Sequence, residues 1–118
     1  MTLIDTSVWI DHLRSPNARL IGLLLDEQVE THPFVLGELL LGNVAWPAFR
    51  ELRSLPQTPR ETDEEVVQLI QQRGLRGRGI GYLDAHLLAS VLLGRTTIWS
   101  NDARLDAAAR SLGIAFDG

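Results

Sequence analysis

Apolar and polar positions change period several times along this chain, and each change marks an element. Leu3 and Ile4 lie in a short apolar run, 2–5, that reads as a buried strand. Residues 6–13 fit the first turns of a helix that stops near Ser15-Pro16. In 17–28, Leu20, Leu23 and Leu24 recur at helical spacing behind Asn17, a capping residue. A brief β-like stretch, 29–33, precedes the apolar helix 34–42, which Gly42 ends. A helix over 45–55 tolerates Pro47 near its start, and Pro56 and Pro59 break the pattern. Thr62 and Glu65 form a capping box for a helix within 61–74. A glycine-rich loop, 75–82, leads to the strongly apolar helix 83–94. A β-branched strand, 96–100, a helix, 103–113, and a last strand, 114–116, complete the pattern. Strands alternating with helices predict an α/β fold with a mostly parallel sheet flanked by helices.

Length and charge narrow the picture. The 118 residues predict one domain, 1–118. No cysteine is present, which excludes disulfides and thiolate metal sites and suits a reducing cytoplasm. No apolar stretch approaches membrane-span length, and no signal peptide is recognisable at the start, so no membrane partner is expected. Net charge is −4, from 15 acids and 11 basic residues, every one of them Arg. A purely electrostatic nucleic-acid binder leans the other way, unless gathered acids mask a basic rim.

Four acids interrupt the apolar pattern. Asp5 ends the first strand and Asp102 follows the strand at 96–100. Open α/β sheets bind ligands at the carboxyl ends of their strands. If these two strands are neighbours, about 5 Å apart, the two acids converge. Glu38 sits inside "FVLGELLLG" with no basic residue near it in sequence. Asp84 opens a helix whose Leu87, Leu88 and Val91 share its stripe. Asp5, Asp84 and Asp102 also fit helix caps, and Glu38 also fits a wet helix face. Asp63, Glu64 and Glu65 are first-turn acids facing a helix dipole. Carboxylates that share a site repel, and a hard divalent cation such as magnesium removes the conflict. Asp5 then serves as a metal ligand, with Thr6 and Ser7 as hydroxyl donors that orient it.

These segments resemble a known family. "LIDTSVWIDHL", a Glu inside "VLGELLLG", an Asp opening "LDAHLLAS" and "WSND" before a final helix are similar, in order, to the motifs of PIN-domain ribonucleases, specifically VapC-type toxins of type II toxin–antitoxin pairs. The resemblance spans nearly the whole chain. It implies an Mg2+- or Mn2+-dependent RNA endonuclease, usually a homodimer, held inactive by a VapB-like antitoxin. By position the family's acids fall on Asp5, Glu38, Asp84 and Asp102, and its supporting hydroxyls on Thr6, Ser7 and Ser100. The family's last motif carries a second acid and an aromatic after the fourth acid. Here "NDARLDAAA" departs from that, which makes Asp106 a rival to Asp102.

Other residues carry weaker chemistry. "RGLRGRGIG", 73–81, lacks the Lys-Ser/Thr ending of a phosphate-binding P-loop and follows a helix. Arg73, Arg76 and Arg78 there read either as a solvated linker or as a basic lip for RNA phosphates beside Asp84. His12 and His32 read as solvated or core-satisfied, and His86 points about 160° away from Asp84 on a helix. Trp46 reads as packing before partner binding. Two rival functions, a receiver module and a haloacid-dehalogenase-like phosphatase, look to need a Lys that this chain lacks. A PIN fold without catalysis, kept as a binding module, is the remaining rival, and the presence of all four acids argues against it.

Overall fold

A computed structural model describes residues 1–117 of the chain. Three parallel strands, β1 (Thr2–Ile4), β2 (Val29–Glu30) and β3 (Thr97–Trp99), form one sheet in the order β2-β1-β3. Among the described residues, seven helices surround it: α1 (Thr6–Arg14), α2 (Ala18–Leu25), α3 (Pro33–Leu41), α4 (Trp46–Arg53), α5 (Asp63–Gln72), α6 (Tyr82–Gly94) and α7 (Ala103–Ser111). The chain is thus α/β, as its alternating pattern predicts.

The middle strand explains the first apolar run. Leu3 and Ile4 are fully buried because β1 has a strand on either side and helices over both faces. Helix α6 is the other core element. Leu87, Leu88 and Val91 have no exposed surface, so the expected stripe is the helix's inward face. Helix α5 packs against α6, while α3 packs against α1 and α4.

Four of the boundaries that differ from the sequence reading have a local reason. The strand read as 2–5 ends at Ile4, and Asp5 takes extended backbone geometry to start α1. Helix α2 ends at Leu25, because Asp26 caps it and Glu27 turns left-handed at φ 55°. The stretch 29–33 is strand only to Glu30, since His32 leaves the sheet to cap α3 through Nδ1, which accepts from Phe34 N–H at 3.0 Å. The last stretch, 114–116, makes a single parallel bridge from Ala115 to Ile98 rather than a strand. Gly113, at φ 74°, terminates α7 and sends the chain back along β3.

Candidate active site

The strand register builds the site. Ile4 pairs with Trp99 in adjacent strands, so the next residues, Asp5 and Ser100, emerge side by side at the carboxyl end of the sheet. Asp5 N–H donates to the Trp99 carbonyl at 3.0 Å and locks that alignment. The neighbourhood of the two strands, on which the convergence of Asp5 and Asp102 depends, is thereby realised.

Asp5 occupies the N-cap position of α1, but its side chain caps nothing. Its Oδ2 instead accepts hydrogen bonds from Ser7 Oγ at 2.7 Å and Ser100 Oγ at 2.8 Å. Each serine in turn accepts a backbone N–H from the loop before α7, Ser7 from Asn101 at 2.9 Å and Ser100 from Asp102 at 3.0 Å. The carboxylate is buried, held from one edge, and has no protein donor on Oδ1 among the described residues. A side chain fixed in this way keeps one oxygen for something other than folding.

Asp102 does two jobs at once. It caps α7 through Oδ1, which accepts from Arg104 N–H at 2.9 Å and Leu105 N–H at 3.0 Å, so Oδ2 has no such donor. Its charge also reaches Asp84. Its rival Asp106 is committed elsewhere, at 2.8 Å from Arg110 Nε one turn along α7. Asp84 begins the inward stripe of α6 and accepts a long hydrogen bond, 3.4 Å, from Gly81 N–H. Glu38 projects from α3, on an exposed part of that helix.

Electrostatics tie the four together. Partial burial raises the Glu38 carboxyl above its ordinary pKa, and the charges of Asp5 and Asp84 raise it further. Asp84 is raised by burial first, then by Asp5, with Asp102 adding to the effect and the Gly81 N–H opposing it. Glu38 and Asp84, on different helices, thus both lie within electrostatic reach of the buried Asp5. Thr6 lies beside Glu38 and draws its pKa back down, although Thr6 Oγ1 is buried without a hydrogen bond of normal geometry. Exposed residues, Arg73, Arg76 and Arg78, occupy the turn between α5 and α6. Of these, Arg78 reaches the far end of α7, where Nη1 lies 3.4 Å from Ser111 Oγ.

The donor set fits a hard divalent cation. It offers carboxylate and hydroxyl oxygens only, an uncommitted Asp5 Oδ1 and a buried hydroxyl without a partner. Among the described residues, no three His, Asp or Glu side chains close on one point as a ready cage.

A second polar cluster escaped the sequence reading. Glu61 is fully buried at its side chain, with Oε1 2.5 Å from His32 Nε2 and Oε2 3.3 Å from His86 Nδ1. His32 Nδ1 already accepts from Phe34, so Nε2 is the donor to Glu61. Glu61 thus joins the start of α3 to the first turns of α6. In sequence Glu61 only opens the 61–74 helix segment, and its partner His32 lies 29 positions away, so no local signal showed that it turns inward. His12 is also structural, accepting from Asn17 N–H at 2.9 Å. Trp46 is half exposed and stacks on Phe49 with ring centres 5.4 Å apart.

Comparison with known proteins agrees with this geometry. No family model matches the chain. Ribonuclease VapC32 of Mycobacterium tuberculosis, from strains CDC 1551 and H37Rv, is 46% identical over 118 residues, covering 98% of this chain and 95% of the relative. The crystal structure of PAE2754 from Pyrobaculum aerophilum superposes with a TM-score of 0.61 at 16% identity, over 93% of this chain and 80% of that one, a likeness of fold. The 46% identity over nearly the whole of both chains, together with the α/β fold, shows that this chain belongs to the VapC-type PIN-domain ribonuclease family.

Proposed function

We propose that this chain is the toxin ribonuclease of a toxin–antitoxin pair and hydrolyses RNA phosphodiester bonds in the cytoplasm. In this reading Asp5, Glu38, Asp84 and Asp102 hold Mg2+ or Mn2+, with Thr6, Ser7 and Ser100 as supporting hydroxyls. The observation that carries it is the relay from Asp102 N–H through Ser100 Oγ to Asp5 Oδ2, which fixes a buried carboxylate at the sheet end with Oδ1 uncommitted. A binding module without catalysis has no need of that arrangement.

When bound, the cation offsets the carboxylate charge and supplies Lewis-acid stabilisation to a phosphate under attack. The protein's own groups do the rest. Ser7 and Ser100 hold Asp5 in one orientation. Glu38 or Asp84, each with its pKa raised by burial and by Asp5, helps take the proton of an attacking water. No side chain forms a covalent bond to the substrate. Arg73, Arg76 and Arg78 contact phosphates of the bound strand outside the reacting centre.

A VapB-like antitoxin is the expected inhibitor. Beside Glu38, a cleft of about 520 Å³ is lined by Ile10, Leu13, Leu39 and Val44. Leu41, 90% exposed, stands at the end of the same helix as Glu38. An antitoxin segment that seats apolar residues in the cleft brings an Arg within reach of the acids, where it pairs bidentately. A homodimer is the expected assembly.

The test is cleavage of RNA by the purified protein with and without Mg2+ or Mn2+, beside Asp5→Asn. Cleavage that needs the cation and disappears in Asp5→Asn supports the reading. Cation-independent cleavage, or an active Asp5→Asn, overturns the assignment of the site. Absence of both cleavage and cation binding favours the binding module.

A further inference from the structure

Four acids at one sheet end repel the phosphate they are meant to receive, so a fixed positive charge near them has a function to fill. Arg104 is placed for it. It is exposed in the first turn of α7, two residues beyond Asp102. Among the described residues it makes none of the ion pairs that occupy Arg110 and the buried histidines.

Its side chain lies across Gly79. A Cβ at that position would stand 2.9 Å from Arg104 Cδ, 3.0 Å from Nη1 and 3.2 Å from Nε. The first is closer than real Cβ atoms come, and the other two are tighter than most. Gly79 is also left-handed, at φ 78°. Glycine here therefore leaves a seat that any side chain would fill, and the atoms displaced would be those of the flexible Arg104. The seat is tied through the backbone to the segments that carry two of the acids. Gly79 is two residues from Gly81, whose N–H reaches Asp84, and Arg104 N–H itself donates to Asp102. Arg78, by contrast, reaches Ser111, roughly 13 Å along α7 from the Asp102 end.

We propose that Arg104, seated against Gly79, binds the RNA phosphate presented to the acid cluster, and that Gly79 is the positioning residue for it. A guanidinium suits this because its planar fork donates two parallel hydrogen bonds to the non-bridging oxygens of one phosphate. The inference rests on the proposed ribonuclease site and adds the group that draws the substrate into it.

The test is single-turnover cleavage of an RNA oligonucleotide in saturating Mg2+. Arg104→Ala lowers the cleavage rate about 100-fold, the scale of losing one donor to a developing charge. Arg104→Lys keeps the charge but loses the fork, and falls about 10-fold. Gly79→Ala falls about as far as Arg104→Ala, and the double variant falls no further than either. Gly77→Ala is the control. It carries the same left-handed strain, at φ 71°, with nothing within 4 Å of a Cβ, and stays within about twofold of wild type. A second readout needs no catalysis. In an Asp5→Asn background, adding Arg104→Ala reduces the slope of log binding against log salt by about 0.7, one single-strand phosphate contact. Arg104→Ala cleaving within about twofold of wild type, or an unchanged salt slope, overturns the inference. So does Gly77→Ala losing as much as Gly79→Ala, because loop strain then explains the loss. An Asp5→Asn protein that still cleaves would instead overturn the site reading itself.

Discussion

At the scale of single residues, the chain stores repulsion. Glu38 and Asp84 both have pKa values raised by burial and by Asp5. A carboxyl whose pKa is higher in the folded state takes up protons on folding, so the unfolded chain binds fewer and stability falls as pH rises. The loss begins near the ordinary carboxyl value, about 4, and is complete above the raised folded values. Glu38→Gln and Asp84→Asn should therefore melt higher than wild type at pH 7 without divalent cation, and the gap should close as pH approaches 4. Thermal melts across that range check this; a gap that widens on acidification contradicts it. Asp5→Asn belongs to the same series. An asparagine oxygen can accept the two serine hydroxyls in place of Oδ2, so the apo protein should be as stable as wild type or more so while cleavage is abolished. An Asp5→Asn chain that unfolds would show Asp5 to be structural. Added Mg2+ or Mn2+ should raise the melting temperature of wild type, since a ligand bound only by the native state adds about 2.7 kcal/mol at 100 times its Kd. The acid variants should respond less.

At the scale of elements, the buried Glu61 holds helices together. It takes the His32 ring at the start of α3 and faces His86 in α6, the two helices that carry Glu38 and Asp84. Burial lowers the pKa of His32 against the opposing pull of Glu61, so the ring is held neutral. Removing it leaves a buried carboxylate with one fewer partner and α3 without its cap, losses on the order of 3 kcal/mol. His32→Ala should thus melt roughly 10 °C lower. His32→Asn, which restores a cap acceptor but not the donor to Glu61, should recover part of that. Equal melting of both variants with wild type would show the cluster to be idle.

These elements also show what the sequence made legible. The α/β alternation, the capping box at Thr62 and Glu65, and the inward stripe of α6 follow from local chemistry, and the structure has them. That Asp5 and Asp102 follow neighbouring strands could be argued because ligands of such sheets gather at adjacent carboxyl ends, whereas Ser100 was pointed to by the family resemblance alone. Glu61 and Arg104 could not, because their partners lie 29 and 25 positions away in a chain of few anchors. A buried acid and an exposed one look alike until the loop that carries them is placed. The short final strand was misread for a similar reason. Ile114 to Phe116 is apolar enough for a sheet, but after Gly113 only one residue reaches β3 in register.

At the scale of the whole molecule, an acidic chain must still hold an acidic polymer. The net charge of −4 gives no general attraction for RNA, so binding depends on where the 11 arginines stand. Arg73, Arg76 and Arg78 form an exposed group on the turn between α5 and α6, just ahead of Asp84. Their contacts are expected to be with phosphates, which set position along a strand but carry no sequence information. Bases splayed from a single-stranded loop would then supply specificity. Replacing Arg76 and Arg78 together by Ala should weaken binding to all RNAs alike and flatten its salt dependence by roughly 0.7 for each lost contact. The preferred cleavage position should not move, and the rate at saturating RNA should fall far less than for Arg104→Ala, because these groups sit outside the reacting centre. Cleavage of one structured RNA at several salt concentrations, wild type against the double variant, decides the matter. An unchanged salt slope would leave the turn a linker between α5 and α6, and would place the path of the strand across another face.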